Sequence, residues 1–464
     1  LQWQRWAIMA VLVASASAFV VLTSRSRPQI IVGVAPVDRD LAVLVTLREA
    51  VEDDYSVQLT RADGTVAWSV RTEDHHVLTS TGETAVVGDD RAVYTFEEPI
   101  MDAPPVTRLV ARALADGAEL WRRDVDALPR DRIVTFGLGG LHVDDERVYL
   151  TRVLSDAAWL DAFARADGEH AWGPVELGPN GPTVRTFGAD RLVALAHLAQ
   201  HSVLVERSSG DASPLARAHP LGEVDGAQVV VSGGEPTILA PDGPPVRLHA
   251  AELGLVGERY GPMGVRAGRV VLGARRSSGR GLALAAFDRA RGASAWSVEL
   301  TAHLFLPHAS DGGALPRMFP IALFSDPGGD LDEHRLAVVD LDRGAVVARF
   351  VAGKRGLIAL TARDRPYVWL EPDTLVAFAP DTGAIASATR LSGATRAALH
   401  RTEQLRHGQL WIVGDTAALP DALPYAVVDL ATGEVTHTNG AMTAVDVTGS
   451  VTGLLTPVTA FVEE

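Results

Sequence analysis

One phrase constrains what this chain can fold into more than any other: Ala162-Phe163-Ala164-Arg165-Ala166-Asp167-Gly168-Glu169-His170-Ala171-Trp172. It reads as an apolar strand, an Asp-Gly turn, and a second strand with a tryptophan four residues past the glycine. The phrase returns around Gly64/Trp68, Gly117/Trp121 and Gly292/Trp296, in weaker form at Gly210 and Gly243, and again at Gly344, Gly383 and Gly433. Successive turn glycines lie 39 to 53 residues apart, with one short interval of 33 between Gly210 and Gly243. A period of about 40–50 residues is that of a four-stranded antiparallel blade, the unit of a β-propeller. A solenoid coil would repeat at about 20–30 residues and an immunoglobulin array at about 100.

After Pro28 the chain is a succession of short β-type runs, such as 40–47 (DLAVLVTL), 92–96 (AVYTF) and 147–153 (RVYLTRV), punctuated by Gly, Asp and Pro. No helical period is sustained there, so the expected class is all-β. Propellers typically stop at about eight blades, whereas nine turns are present. Eight blades are therefore expected, with seven as the alternative, and one of Gly210 and Gly243 is read as an extra hairpin within a blade. The C-terminal strands 444–447 and 458–462 are expected to complete the first blade, pairing its open edge.

The turn has its own chemistry. Glycine supplies the positive φ that a hairpin turn demands. The Asp or Thr before it bonds its own backbone, and an Asp four residues earlier (Asp288, Asp340, Asp429) can cap the turn from the strand end. The tryptophans are expected to lie flat between neighbouring blades, each burying about 150–250 Å².

Composition narrows the function classes. Formal net charge is −16, from 42 basic and 58 acidic residues without blocks, which argues against nucleic acid. Lys354 is the only lysine, a usage read as codon bias in a GC-rich genome. There is no cysteine, hence no disulfide, thiolate metal site, catalytic thiol or lipidated cysteine. Residues 6–22 (WAIMAVLVASASAFVVL) carry no charge and are flanked by Arg5, Arg25 and Arg27. They read as an N-terminal hydrophobic helix, and two readings stay open: a cleaved export signal or an uncleaved membrane anchor. Both send the rest of the chain out of the cytoplasm. The expected organisation is a signal or anchor segment at 1–29 followed by one propeller domain at 30–464.

The phrase Ala-x-Asp-x-x-Thr-Gly-x-x-x-Trp resembles the repeat motif of the pyrroloquinoline-quinone-like (PQQ-like) β-propeller family. Ala111, Ala162, Ala286 and Ala377 take its first position, Asp288, Asp340 and Asp429 its third. Thr382 and Thr432 precede the glycine, and Trp68, Trp121, Trp172 and Trp296 end it, while Ala348, Ser387 and His437 stand in the tryptophan slot of later copies. The resemblance spans roughly residues 38–440. It implies the fold firmly, and either of two roles: quinoprotein dehydrogenase, or non-catalytic envelope scaffold and sensor ectodomain.

The dehydrogenases of the family use a vicinal disulfide, a Ca²⁺ held by Glu and Asn, and a catalytic Asp. This chain lacks cysteine, and its only asparagines, Asn180 and Asn439, sit next to glycines. The acidic loop 326–333 (DPGGDLDE) does not follow the spacing of a helix-flanked calcium loop. His75-His76, His197/His201 and His303/His308 lack zinc spacing and read as exposed loop histidines. No Gly-x-Ser-x-Gly elbow is present, and Gly137-Leu138-Gly139-Gly140 precedes no helix. No catalytic, cofactor-binding or metal-binding residue is therefore assigned, and no cofactor is expected. The expected function is a non-catalytic, extracytoplasmic propeller that docks protein partners, in the periplasm or cell envelope, anchored through 6–22 if that segment is uncleaved. The alternative is a degenerate or novel enzyme using the central channel.

Overall fold

The computed structural model describes residues 29–460, except 39, 49–53, 73–74, 78–85, 100–106, 126–139, 154–156, 179–182, 197–200, 216–218, 225–226, 233–234, 242, 277–280, 307, 311–313, 326–332, 363–364, 393–395, 398–407, 414–424 and 440–441. The segment 6–22 lies outside them. Among the described residues no helix is long and apolar enough to cross a membrane.

Nine antiparallel sheets follow one another along the chain, at residues 29–71, 75–125, 141–178, 183–215, 219–247, 255–300, 304–353, 357–392 and 396–439. Each is a blade, numbered here 1 to 9 in chain order, with strands A to D running from the inner to the outer edge. The expected eight is thus corrected to nine. Gly243 is not an extra hairpin but the C–D turn of a complete blade 5. That blade fits the short interval because its first three strands (His219–Val224, Ala227–Ser232, Glu235–Leu239) are joined by two-residue connections and its fourth is only Val246–Arg247.

The core is not central but divided among the seams between blades. Strands alternate their side chains between the two faces of a blade, so each blade feeds one cluster before it and one after. Tyr149, Leu160 and Trp172 of blade 3, for example, pack with Val184, Leu192 and Val203 of blade 4. The series ends where it began: Trp411, Tyr425 and Val427 of blade 9 pack against Val34, Ala42 and Leu44 of blade 1. Packing of side chains therefore closes the ring.

The C-terminal strands do not complete blade 1, which already has four strands of its own (Gln29–Pro36, Leu41–Arg48, Asp54–Arg61, Val66–Arg71). Instead the chain turns back after blade 9. Thr443–Asp446 adds to the outer edge of blade 8, with Ser392 opposite Thr443 and Thr389 opposite Asp446. A 3-10 helix follows at Thr448–Gly453, and Thr456–Pro457 pairs with the outer strand of blade 7. Val458 donates to the Arg349 carbonyl but is not in a strand, and 461–464 lie outside the described residues. Blades 7 and 8 are also tied from inside: His308–Ser310, on the A–B connection of blade 7, runs parallel to the innermost strand of blade 8.

The repeated phrase makes the seams. In six of the C–D turns the residue before the glycine accepts from the N–H two positions on: Asp63 from Thr65, Asp116 from Ala118, Asp167 from Glu169, Ser209 from Asp211, Thr382 from Ala384 and Thr432 from Glu434. Asp288, Asp340 and Asp429 cap the same turn from four residues back, as expected. Gly168 (φ 73°) then presents a bare backbone to the preceding blade, and the Trp121 ring lies on it. A Cβ at Gly168 would stand 2.5 Å from Trp121 Cε3. Trp68 covers Gly117, Trp172 covers Gly210 and Trp296 covers Gly344 in the same way. The indole N–H groups of Trp68, Trp121 and Trp172 donate to the carbonyls of Leu114, Arg165 and Arg207, each three residues before the covered glycine.

Candidate functional site

The seams absorb most of the residues that the sequence makes conspicuous. Between blades 2 and 3, Tyr94 donates to Asp89 at 3.0 Å, and Arg165 reaches back from the next blade to Asp89 at 2.7 Å and Asp90 at 2.5 Å. Blade 3 repeats the set. Tyr149 donates to Asp144 at 2.7 Å, and Arg207 of blade 4 bonds Asp144 at 2.8 Å and Asp145 at 2.7 Å. Arg165 and Arg207 thus hold the preceding blade twice, by side chain and by the carbonyl that accepts the indole N–H. At the seam of blades 8 and 9, Tyr367 covers Gly433 and donates to the Leu430 carbonyl.

These tyrosines are consequently hard to ionise. Burial pushes the hydroxyls of Tyr94, Tyr149, Tyr367 and Tyr425 up to about 12. In the unfolded chain tyrosine ionises near about 10, so between those values the unfolded state has released protons that the folded state retains. Stability is therefore intact below about pH 10 and falls as pH rises toward about 12. In a titration at 295 nm, four of the six tyrosines should stay un-ionised at pH 11 in the native protein and ionise there in urea. Equal titration in both solvents would contradict their placement.

Charged groups are also buried within blades. Glu97 and Arg112 of blade 2 form a buried ion pair at 2.8 Å, with Thr95 donating to Glu97 at 2.9 Å. In blade 3 a buried Asp161 lies between Arg152 at 2.5 Å and the half-exposed His170 at 3.3 Å. In blade 7, Arg335 bonds Glu333 at 2.6 Å and the Thr301 carbonyl at 3.3 Å. Each carboxylate here has a cation beside it, which is the condition for burying it at tolerable cost. A sharper local field acts at the turn of blade 7. The Arg317 guanidinium holds the Asp340 carboxyl below its ordinary range, and Arg266 does the same to Asp342.

The candidate residues read from the sequence are not brought together. Of the acidic loop, 326–332 lies outside the described residues and Glu333 serves Arg335. His197, Asn180 and the glycines 137–139 also lie outside them. Of the histidines read as exposed loops, His303 is exposed outside any strand as expected, and three others correct the reading. His75 is buried in a three-residue strand, His201 begins strand B's neighbour His201–Glu206, and His308 sits on the inserted inner strand. The His308 ring packs edge-on against Phe319 with centroids 4.9 Å apart, and its Nε2 is 3.3 Å from Thr361 Oγ1. Burial pushes its pKa down to about 4, so the imidazole is neutral at physiological pH. Among the described residues no group of three His, Asp or Glu side chains is placed to hold a metal ion.

Between blades the C–D turns are constant, while the other connections vary. The C–D turns are uniform, four to six residues each. In an antiparallel four-stranded sheet the B–C and blade-to-blade connections leave at the other end. They run from two residues at 233–234 to eleven at 414–424 and fifteen at 126–140. The A–B connections, on the face of the C–D turns, also vary, from two residues at 267–268 to twelve at 306–317; the opposite face carries the longest link and is taken as the candidate binding face. The nine-fold period carried this signal in the sequence, as unequal intervals between the glycines.

A family model described as outer membrane protein assembly factor BamB matches residues 27–137 and 53–217. No curated protein matches the chain. Among solved structures, BamB from Moraxella catarrhalis is 12% identical, with 84% of this chain and 96% of that one covered and a TM-score of 0.40. Sqt1 of Saccharomyces cerevisiae is 11% identical over 91% and 96%, with a TM-score of 0.41. The quinohemoprotein alcohol dehydrogenase from Comamonas testosteroni is 13% identical over 76% and 72%, with a TM-score of 0.34. Likenesses this distant carry neither activity nor partner. The glycine–tryptophan phrase, the four-stranded blades it builds and the match over 27–217 support a PQQ-like β-propeller repeat architecture for the chain.

Proposed function

We propose that the chain is a non-catalytic docking platform that binds protein partners through the face carrying its B–C and blade-to-blade connections. The observation behind this reading is the contrast between the two faces. One carries the nine C–D turns of four to six residues, eight of whose glycines are covered by the preceding blade. The other bears connections of two to fifteen residues on a closed, rigid frame. Rigid scaffolds with variable loops are how folds present specific surfaces. The matching family model bears the name of an assembly factor, which agrees with a role in holding other proteins. In this reading residues 1–29 direct the propeller to the outer side of the cytoplasmic membrane and, if uncleaved, hold it there.

Affinity capture from membranes, with residues 1–29 retained, tests the proposal. A reproducible protein partner is expected. Replacing 126–139 and 414–424 by short Gly-Asn turns should abolish capture while the melting temperature stays unchanged. Capture that survives both replacements would place the partner elsewhere. The purified protein, given quinone and Ca²⁺, should oxidise no alcohol, and substrate turnover would overturn the non-catalytic reading.

A further inference from the structure

The nine seams are not equally fastened. Eight turn glycines are met by an atom of the preceding blade. Tryptophans cover Gly117, Gly168, Gly210 and Gly344, Val338 and Val347 cover Gly383, and Tyr367 covers Gly433. His437 covers Gly64, and the carbonyl of Arg247 lies against Gly292, where a Cβ would stand 1.8 Å away. Gly243 of blade 5 is the exception. Among the described residues its only neighbour within 4 Å is Ala240, of the same blade. On the outer strand of blade 4 the residue opposite Leu204, and so on the face toward blade 5, is Ser213 rather than a tryptophan.

Three further observations fall on the same seam. Its apolar cluster holds two buried residues among those described, Phe187 and Val193, with Leu204, Leu215 and Leu239 partly buried around them. Every other seam is sealed by a larger cluster. Gln228 pairs across the strands with Leu239 and so shares the face that Leu239 packs against blade 4. Its side chain is 1% exposed, and neither its amide oxygen nor its amide nitrogen has a partner among the described residues. A buried amide without partners favours the state in which water reaches it. Finally, the outer strand of blade 5 is two residues long, so little outer wall bridges the gap. Among the described residues, what fastens the turn face here is the contact of Pro241 with Gly188 and one bond from Arg191 Nη2 to the Pro241 carbonyl at 2.8 Å.

We infer that the ring opens reversibly between blades 4 and 5, and that this seam is the one place where the closed propeller admits solvent or a partner segment from its side. In repeat architectures local opening follows the weakest nearest-neighbour interface. The short Gly210–Gly243 interval is therefore the sequence mark of a built-in opening point.

Hydrogen exchange followed by mass spectrometry on the full chain tests this. Amides of His201–Glu206 in blade 4 and Ala227–Ser232 in blade 5 should exchange at least tenfold faster than those of Arg147–Val153 in blade 3 and Arg269–Arg276 in blade 6. Ser213→Trp, at the residue whose strand partner Leu204 faces blade 5, and Gln228→Leu, which removes the unpartnered amide, should each slow blades 4 and 5 and leave blade 3 unchanged. Uniform protection across blades 3 to 6 in the wild type would overturn the inference. So would fast exchange in blades 4 and 5 that neither substitution slows.

Discussion

Trp172→Ala is expected to lower the stability of the ring by about 3–5 kcal/mol, read as a fall in the urea midpoint. The indole is buried on the turn of blade 4, with its ring atoms 2.8 Å from where a Gly210 Cβ would stand. It also packs against Tyr149 at 5.9 Å and donates to the Arg207 carbonyl at 2.8 Å. Truncation therefore opens a cavity at a seam and orphans an acceptor at once. Because both partners are backbone, neither can move to fill the space without distorting the turn. The reverse substitution probes the same contact: Gly210→Ala puts a methyl into the ring at φ 78° and should also destabilise. A tryptophan used for stacking on a ligand would behave differently, losing binding at unchanged stability. A Trp172→Ala protein with the wild-type midpoint would refute the seam geometry.

Local chemistry made the turns and seams legible. Asp167, Gly168 and Trp172 each occupy a position with one physical solution, so their spacing predicted both the hairpin and the flat indole. His437 was visible as the occupant of a tryptophan slot, and it does cover Gly64 at the closing seam. Tyr367 was not visible. It reaches the Leu430 carbonyl from strand B rather than strand D, and no fixed offset from a glycine announces it. The blade number failed at Gly243, whose copy lacks the alanine, the distal aspartate and the tryptophan. Strand content placed 444–447 as β, one residue off the observed Thr443–Asp446, but could not say which edge it would join, since edge choice depends on which blades already have four strands. His75 and His308 lie in strands of three residues, too short for alternation to show. The candidate binding face was legible only as irregular spacing, because connection length is fixed neither by the turn chemistry nor by the strand period.

The second large effect is expected at Leu455. The seam between blades 7 and 8 has no indole; Gly383 meets only Val338 and Val347. The returning tail supplies what is missing. Leu455 is fully buried and Val451 nearly so, in one cluster with Met318 and Phe350 of blade 7 and Leu357 and Phe378 of blade 8. Around them the tail is held by backbone bonds, from Val447 N–H to the Ala388 carbonyl and from Ala388 N–H to Thr448 Oγ1, both at 2.9 Å. Its pairing strand Thr443–Asp446 is exposed at all four residues, so burial there contributes little. Leu455→Ala should therefore cost about 2–5 kcal/mol, whereas Val445→Ala, at a residue 49% exposed, should stay within about 0.5 kcal/mol of wild type. The comparison separates two accounts of the tail. If strand addition at the rim were its main role, Leu455→Ala would be mild and loss of the 443–446 pairing severe. If the tail is a plug for a seam without tryptophan, Leu455 dominates, and installing Trp at Ala348 should recover part of the loss. Equal urea midpoints for Leu455→Ala and wild type would leave the seam of blades 7 and 8 without a fastening and show the cluster to be wrongly placed.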